Sequence, residues 1–151
     1  MTDSFQVAEV KLTYRTKVKA SDRPQVSRSA DAYRIFWRYW SEDIEMVEEV
    51  YVLLLNRANR VLGIVPISRG GQAGTVVDAK MVFVPAVKAL ATSVVLAHNH
   101  PSGHLWPSQA DIDLTKRLQS AGQTLDILVQ DHLILSPDGE HYYSFADEGL
   151  I

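Results

Sequence analysis

Apolar residues in this chain fall into short dense runs separated by polar, turn-forming stretches. Residues 7–14 (VAEVKLTY) alternate, with Ala8, Val10, Leu12 and Tyr14 on one side and Val7, Glu9, Lys11 and Thr13 on the other. That pattern predicts a half-buried strand. A polar arm, KVKASDRPQVSRS, follows. Ser29 can then cap a helix along which Tyr33, Phe36, Trp37 and Trp40 recur at helical spacing, a stripe suited to a core or to a partner surface. Val50–Leu55 and Val61–Ser68 flank the turn-forming NRAN and predict a hairpin. RGGQAG, residues 69–74, reads as a loop. Asp78 can cap a helix running through Leu90, with Val82, Ala86 and Leu90 facing inward. SVVLA (93–97) reads as a buried strand, and Ser108 opens a helix to about Ser120 that Gly122 ends. Leu125–Leu135 is strand-like, PDG is a turn, and HYYSF is a last strand. Hairpins mixed with helices predict an α+β fold, a single mixed sheet flanked by helices.

Composition narrows the class without changing this picture. A chain of 151 residues, 46% hydrophobic and 22% charged, can bury one core and is unlike a disordered segment. No run approaches the ~20 apolar residues of a membrane span, and MTDSFQVAEV lacks a signal peptide's basic and apolar regions. A cytoplasmic location and no membrane partner are expected. With no cysteine, any metal must take nitrogen and oxygen ligands. The net charge of −3 argues against holding nucleic acid by bulk charge. Residues 1–40 nevertheless carry eight Lys and Arg against four Asp and Glu, and the basic arm at 11–28 is the one candidate DNA-binding element.

The chemistry concentrates in HNHPSGHLWPSQAD, residues 98–111. Side chains two apart on a strand point the same way, so His98 and His100 can converge at the end of SVVLA. Pro101 would end that strand. Pro107 and Ser108 then open a helix, with Asp111 in its first turn. Two imidazoles and a carboxylate form a sound zinc set that leaves a fourth position open for water, whose pKa zinc lowers to about 7. Each piece alone has a plainer reading. H-x-H pairs are often ordinary histidines, and S-x-x-D before a helix is a common capping box. His104 is expected to be exposed, His132 to be a core or supporting histidine, and Asp131 to be able to orient a ligand imidazole. Asp113 would point away from Asp111.

H-x-H, seven residues, Ser, two residues, Asp resembles the JAMM (MPN+) metalloprotease signature, which His98, His100, Ser108 and Asp111 match without a gap. AHNHPSG (97–103), PSQAD (107–111) and the closing YYSFADEGLI (142–151) resemble the RadC-like branch of that superfamily. The resemblance is strong from Glu45 to Ile151 and loose before it. It divides the chain into 1–44, a strand, arm and aromatic helix, and 45–151, a JAB/MPN metal-binding domain of cytidine deaminase-like fold.

The resemblance implies one zinc per chain on His98, His100 and Asp111, and an upstream glutamate as general base. The family pattern E-x-φ-x-V-L-x-L-N/D, φ being apolar, lands on Glu48 when Asn56 anchors it; Glu49 is the alternative, and the other of the pair would be a solvated strand-edge charge. Ser108 resembles the serine that supports the oxyanion, beside any capping role. The implied activity is hydrolysis of a peptide or isopeptide amide in a peptide or protein substrate. Two other readings differ in class: a DNA repair or recombination binding module with vestigial hydrolase activity, and a metal-free scaffold. The helix-hairpin-helix unit of full-length relatives is not recognisable here, and the intact ligand set argues against the scaffold.

Overall fold

VYVLLL is apolar at nearly every position because the strand it forms is covered on both faces. The computed structural model describes residues 5–70 and 76–151. Five strands form one sheet: β1 (Glu49–Leu55), β2 (Val61–Arg69), β3 (Ser93–Asn99), β4 (Leu128–Leu135) and β5 (Tyr142–Ser144). Their order is β2-β1-β3-β4-β5, with β3 and β4 parallel and the other neighbours antiparallel. Three helices cover it: α1 (Ser29–Tyr39), α2 (Ala79–Lys88) and α3 (Gln109–Thr124). The expected α+β fold, a single mixed sheet flanked by helices, is what forms.

Strand alternation sorts the core into two layers. Val50, Val52, Leu54, Val94 and Leu96 pack with Val82, Phe83 and Ala86 of α2 and Leu118 of α3. Leu53, Leu55, Val95, Ala97, Leu133 and Leu135 pack on the other face with Ala32 and Phe36 of α1. The aromatic stripe of α1 is thus mainly core: Tyr33 stacks on Tyr142 at 4.5 Å and Trp40 lies 4.4 Å from Tyr51, while Trp37 lies against Gly139 and is 38% exposed.

Several local expectations give way to tertiary context. Residues 7–14 form no strand; Val7 is 90% and Val10 83% exposed, because alternation without a partner edge leaves the backbone unpaired. Tyr14 is anchored, its hydroxyl donating to the Leu62 carbonyl at 2.6 Å. Ser29 does not cap α1. The Asp31 carboxylate accepts from the amides of Ser27 and Arg28 instead, and the Ser29 hydroxyl is engaged with Tyr142 and Asp147. Asp78 does cap α2, accepting from the Lys80 amide at 2.9 Å. That helix stops at Lys88, and Leu90 takes a left-handed backbone (φ 57°) that turns its side chain 82% into solvent instead of inward. Of the glycine-rich segment expected as a loop, residues 71–75 lie outside the described residues. No helix among the described residues is long and apolar enough to cross a membrane.

Gly122 is the most instructive departure. It does not end α3, which continues to Thr124 before a left-handed Asp126 turns the chain into β4. Glycine is required there by space: a Cβ would sit 2.2 Å from the Ile127 carbonyl oxygen and 3.3 Å from the Phe83 ring. Helix propensity alone favours alanine by about 1 kcal/mol, but overpacking against backbone costs roughly 1–3 kcal/mol or more. Gly122→Ala is therefore expected to lower the free energy of unfolding in urea titration. An increase would show that the helix can shift away from Ile127 without loss.

Candidate metal centre

The pairing of β1 with β3 builds the centre. Val50 lies opposite His98, and directly opposed residues share a face of the sheet. Two residues further along each strand, Glu48 and His100 fall on that same face, just beyond the last paired residues. The carboxylate of Asp111 arrives from the first turn of α3. One ligand atom from each of Glu48, His98, His100 and Asp111 lies within 4.8 Å of all the others. His98 is 2% exposed, and the other three are half-buried.

Asp111 Oδ2 stands 3.4 Å from His98 Nε2 and 3.5 Å from His100 Nε2, and the two Nε2 atoms are 2.9 Å apart. His100 Nδ1 lies 2.5 Å from the His104 carbonyl oxygen, which can only accept, so Nδ1 carries the proton. In the neutral ring Nε2 then presents a lone pair to the centre. The exposed His104 holds its neighbour through its backbone; its own ring is not among the converging groups. Ser108 and Asp111 form a reciprocal capping box: the serine Oγ accepts from the Asp111 amide at 3.0 Å, and Asp111 Oδ2 accepts from the Ser108 amide at 2.8 Å. Asp113 is exposed and hydrogen-bonded to Gln109. A groove of about 460 Å³ adjoins the centre, lined by Val50, Val76, Val77, Leu114 and Arg117 beside Glu48 and Asp111.

Electrostatics match a cation site. Burial opposes ionisation of Asp111, but hydrogen bonds from His100 and His98 whenever those rings are protonated, the charge His98 then carries and the Ser108 amide hold its carboxyl far below the usual range. Burial also opposes a charged His100, yet its bonds with Asp111 and the His104 carbonyl, with the charges of Asp111 and Glu48, hold its pKa above the ordinary value. Among the described residues neither Glu48 nor Asp111 pairs with a Lys or Arg. Two imidazole nitrogens and two carboxylates around one point are a donor set that fits a divalent, nitrogen- and oxygen-binding metal.

The supporting residues were largely hidden in the sequence. Asn99, between the two histidines, is fully buried on the opposite face. Its side-chain oxygen accepts from the Glu49 amide at 2.7 Å, and its nitrogen donates to the carbonyls of Ile44 and Val47 at 2.8 and 2.9 Å. It ties the segment carrying Glu48 to the strand carrying both histidines. Glu49 is not the solvated strand-edge charge expected: it is 6% exposed, bonded to the Ser41 hydroxyl and paired with Arg69 at 3.6 Å. Asp131 orients no ligand imidazole. Its carboxylate accepts from the Ser144 hydroxyl and the amides of His132 and Ala146, fastening the closing segment to β4. The residue that meets the His98 ring is His132, whose Nε2 lies 2.7 Å from His98 Nδ1.

The model of the RadC-like JAB domain family matches residues 26–150, taking in α1 as well as the motif-bearing segment. The chain is 48% identical over 103 residues to a UPF0758 protein of Flavobacterium johnsoniae, covering 68% of this chain and 44% of the relative. It is 42% identical over 129 residues to a UPF0758 protein of Porphyromonas gingivalis, covering 85% and 56% respectively. The chain thus spans about half the length of the curated relatives it matches. With most of its length matched by the family model, and with both histidines and both carboxylates gathered at one point, the chain belongs to the RadC-like JAB domain family.

Proposed function

We propose that the chain is a zinc-dependent amide hydrolase, a JAMM-type metallopeptidase or isopeptidase. In this reading His98, His100 and Asp111 hold the metal and Glu48 is the general base. The observation that carries it is the convergence of those four side chains from β3, α3 and the entry to β1. Zinc, when bound, supplies Lewis acidity that polarises an amide carbonyl and lowers the pKa of water to about 7. Glu48 takes a proton from the attacking water on a carboxylate oxygen and later gives it to the leaving amine nitrogen. The Ser108 hydroxyl accepts from the Asp111 amide and donates to nothing among the described residues, so its proton is free to steady the developing oxyanion. The groove beside Glu48, apolar at Val50, Val76, Val77 and Leu114 and charged at Arg117 and Asp113, suits an extended peptide segment.

Elemental analysis of purified protein is expected to find one zinc per chain, lost on His98→Ala or His100→Ala. Asp111→Ala should weaken binding severely, with Asp111→Asn retaining part of it. Full metal in the double histidine variant would remove the basis of this reading.

Glu48→Gln should keep zinc and fold while lowering cleavage of a peptide library by ~100-fold or more, cleavage that a chelator abolishes in the wild type. Glu49→Gln should keep turnover but melt lower, because it disturbs a buried carboxylate held by Ser41 and Arg69. The reverse pattern would move the base to Glu49.

Ser108→Ala should cost about 1 kcal/mol of stability through the lost cap. If the hydroxyl also steadies the oxyanion, turnover should fall ~100-fold with zinc still bound. Unchanged turnover with a lowered melting point would leave capping as its whole role.

A further inference from the structure

His98 is held from behind by a second histidine and not by a carboxylate or a backbone carbonyl. The contact runs from His98 Nδ1 to His132 Nε2 at 2.7 Å, inside the core. His132 is 1% exposed, and its other nitrogen, Nδ1, lies 2.6 Å from Thr115 Oγ1. That hydroxyl is also 2.8 Å from the backbone carbonyl oxygen of Asp111.

Proton counting along this row leaves one arrangement. A carbonyl oxygen only accepts, so the single Thr115 hydroxyl proton belongs on the Asp111 carbonyl; placed elsewhere, two oxygens would face each other at 2.8 Å without one. Thr115 Oγ1 must then accept from His132 Nδ1–H. His132 is buried and its two ring nitrogens meet only a hydroxyl and another imidazole, no carboxylate, surroundings that favour the neutral ring. Its Nε2 is therefore an acceptor and His98 Nδ1 the donor. In a neutral His98 this leaves a bare lone pair at Nε2, 3.4 Å from the Asp111 carboxylate.

We propose that Thr115 and His132 form a positioning relay that fixes the ring tautomer of His98 and holds its Nε2 lone pair toward the metal centre. The relay begins at the backbone of Asp111 and ends facing the carboxylate of that same residue. It thereby ties β3 and α3, which carry the two ligands, together through β4. A neutral acceptor orients the ring without adding negative charge, so the charge at the centre is left to Asp111 and Glu48. The metal role of the relay rests on the reading of His98 as a ligand; the tautomers themselves do not.

The test uses the full chain, labelled with ¹⁵N at its five histidines, metal-free at pH 8. Ring-nitrogen shifts and long-range couplings identify which nitrogen of each ring bears hydrogen. The expected wild-type pattern has both His98 and His132 protonated on Nδ1 and bare on Nε2. Thr115→Val keeps the shape but removes the acceptor for His132 Nδ1–H, so the two rings should lose this pattern. Zinc affinity, measured by competition with a chromophoric chelator, should fall ~10–100-fold. Thr115→Ser should restore both readouts. A wild-type His132 protonated on Nε2 overturns the relay, and this spectrum decides even if the valine variant folds poorly. Unchanged tautomers in Thr115→Val also overturn it, whether or not affinity falls, since a loss of affinity alone would mean softened packing. If the wild-type chain binds no zinc, the proposed hydrolase fails, and the ring shifts still decide whether the relay exists.

Discussion

The register of β1 against β3 is the constraint on which the centre depends. With Val50 opposite His98, Glu48 and both histidines share one face of the sheet. A slip of one residue would send Glu48 to the face of Glu49 and bring Glu49 toward the histidines. It would also move the β1 side chains to the wrong layer, Val52 and Leu54 to one side and Leu53 and Leu55 to the other. Both layers are apolar, so what opposes such a slip is close packing: side chains of the wrong shape in a filled core cost roughly 1–3 kcal/mol at each overpacked site. Asn99 extends the same constraint past the strand end by binding the Glu49 amide and two carbonyls upstream. The core thus sets the chemistry's geometry from outside the centre.

The centre itself runs against the usual rules of a protein interior. Acceptors face acceptors, and two half-buried carboxylates lack a Lys or Arg partner among the described residues. Without a metal, the favourable arrangement pairs an ionised Asp111 with a proton on His100, as the low carboxyl pKa and the raised His100 value indicate. Protons and a divalent cation compete for the same lone pairs, which couples occupancy to pH. Departures from local rules of this kind concentrate at functional sites.

How much of this was legible in the sequence depended on the range of the interaction. His98, His100 and Asp111 could be paired because a two-residue strand period and a first helical turn are local facts. The hairpin, the α2 cap at Asp78 and the α3 cap at Ser108 were legible for the same reason. Glu48 against Glu49 turns on a register between strands some fifty residues apart, and the family pattern had to stand in for it. His132 was legible only as a core or supporting histidine and Thr115 not at all, since their partnership exists only once α3 and β4 lie side by side. Alternation in residues 7–14 misled because a strand also needs a partner, and Gly122 misled because its role is set by Phe83 and Ile127 and not by helix termination. His104 contributes a carbonyl, which no residue type can announce.

X-ray absorption at the zinc edge of the reconstituted chain tests most directly whether the sheet register delivers two imidazoles and a carboxylate to one metal. The zinc is expected to show nitrogen and oxygen neighbours only, at about 2.0–2.1 Å, with the outer scattering of two imidazole rings. A shell of six oxygens, or scattering from no more than one imidazole, would contradict it.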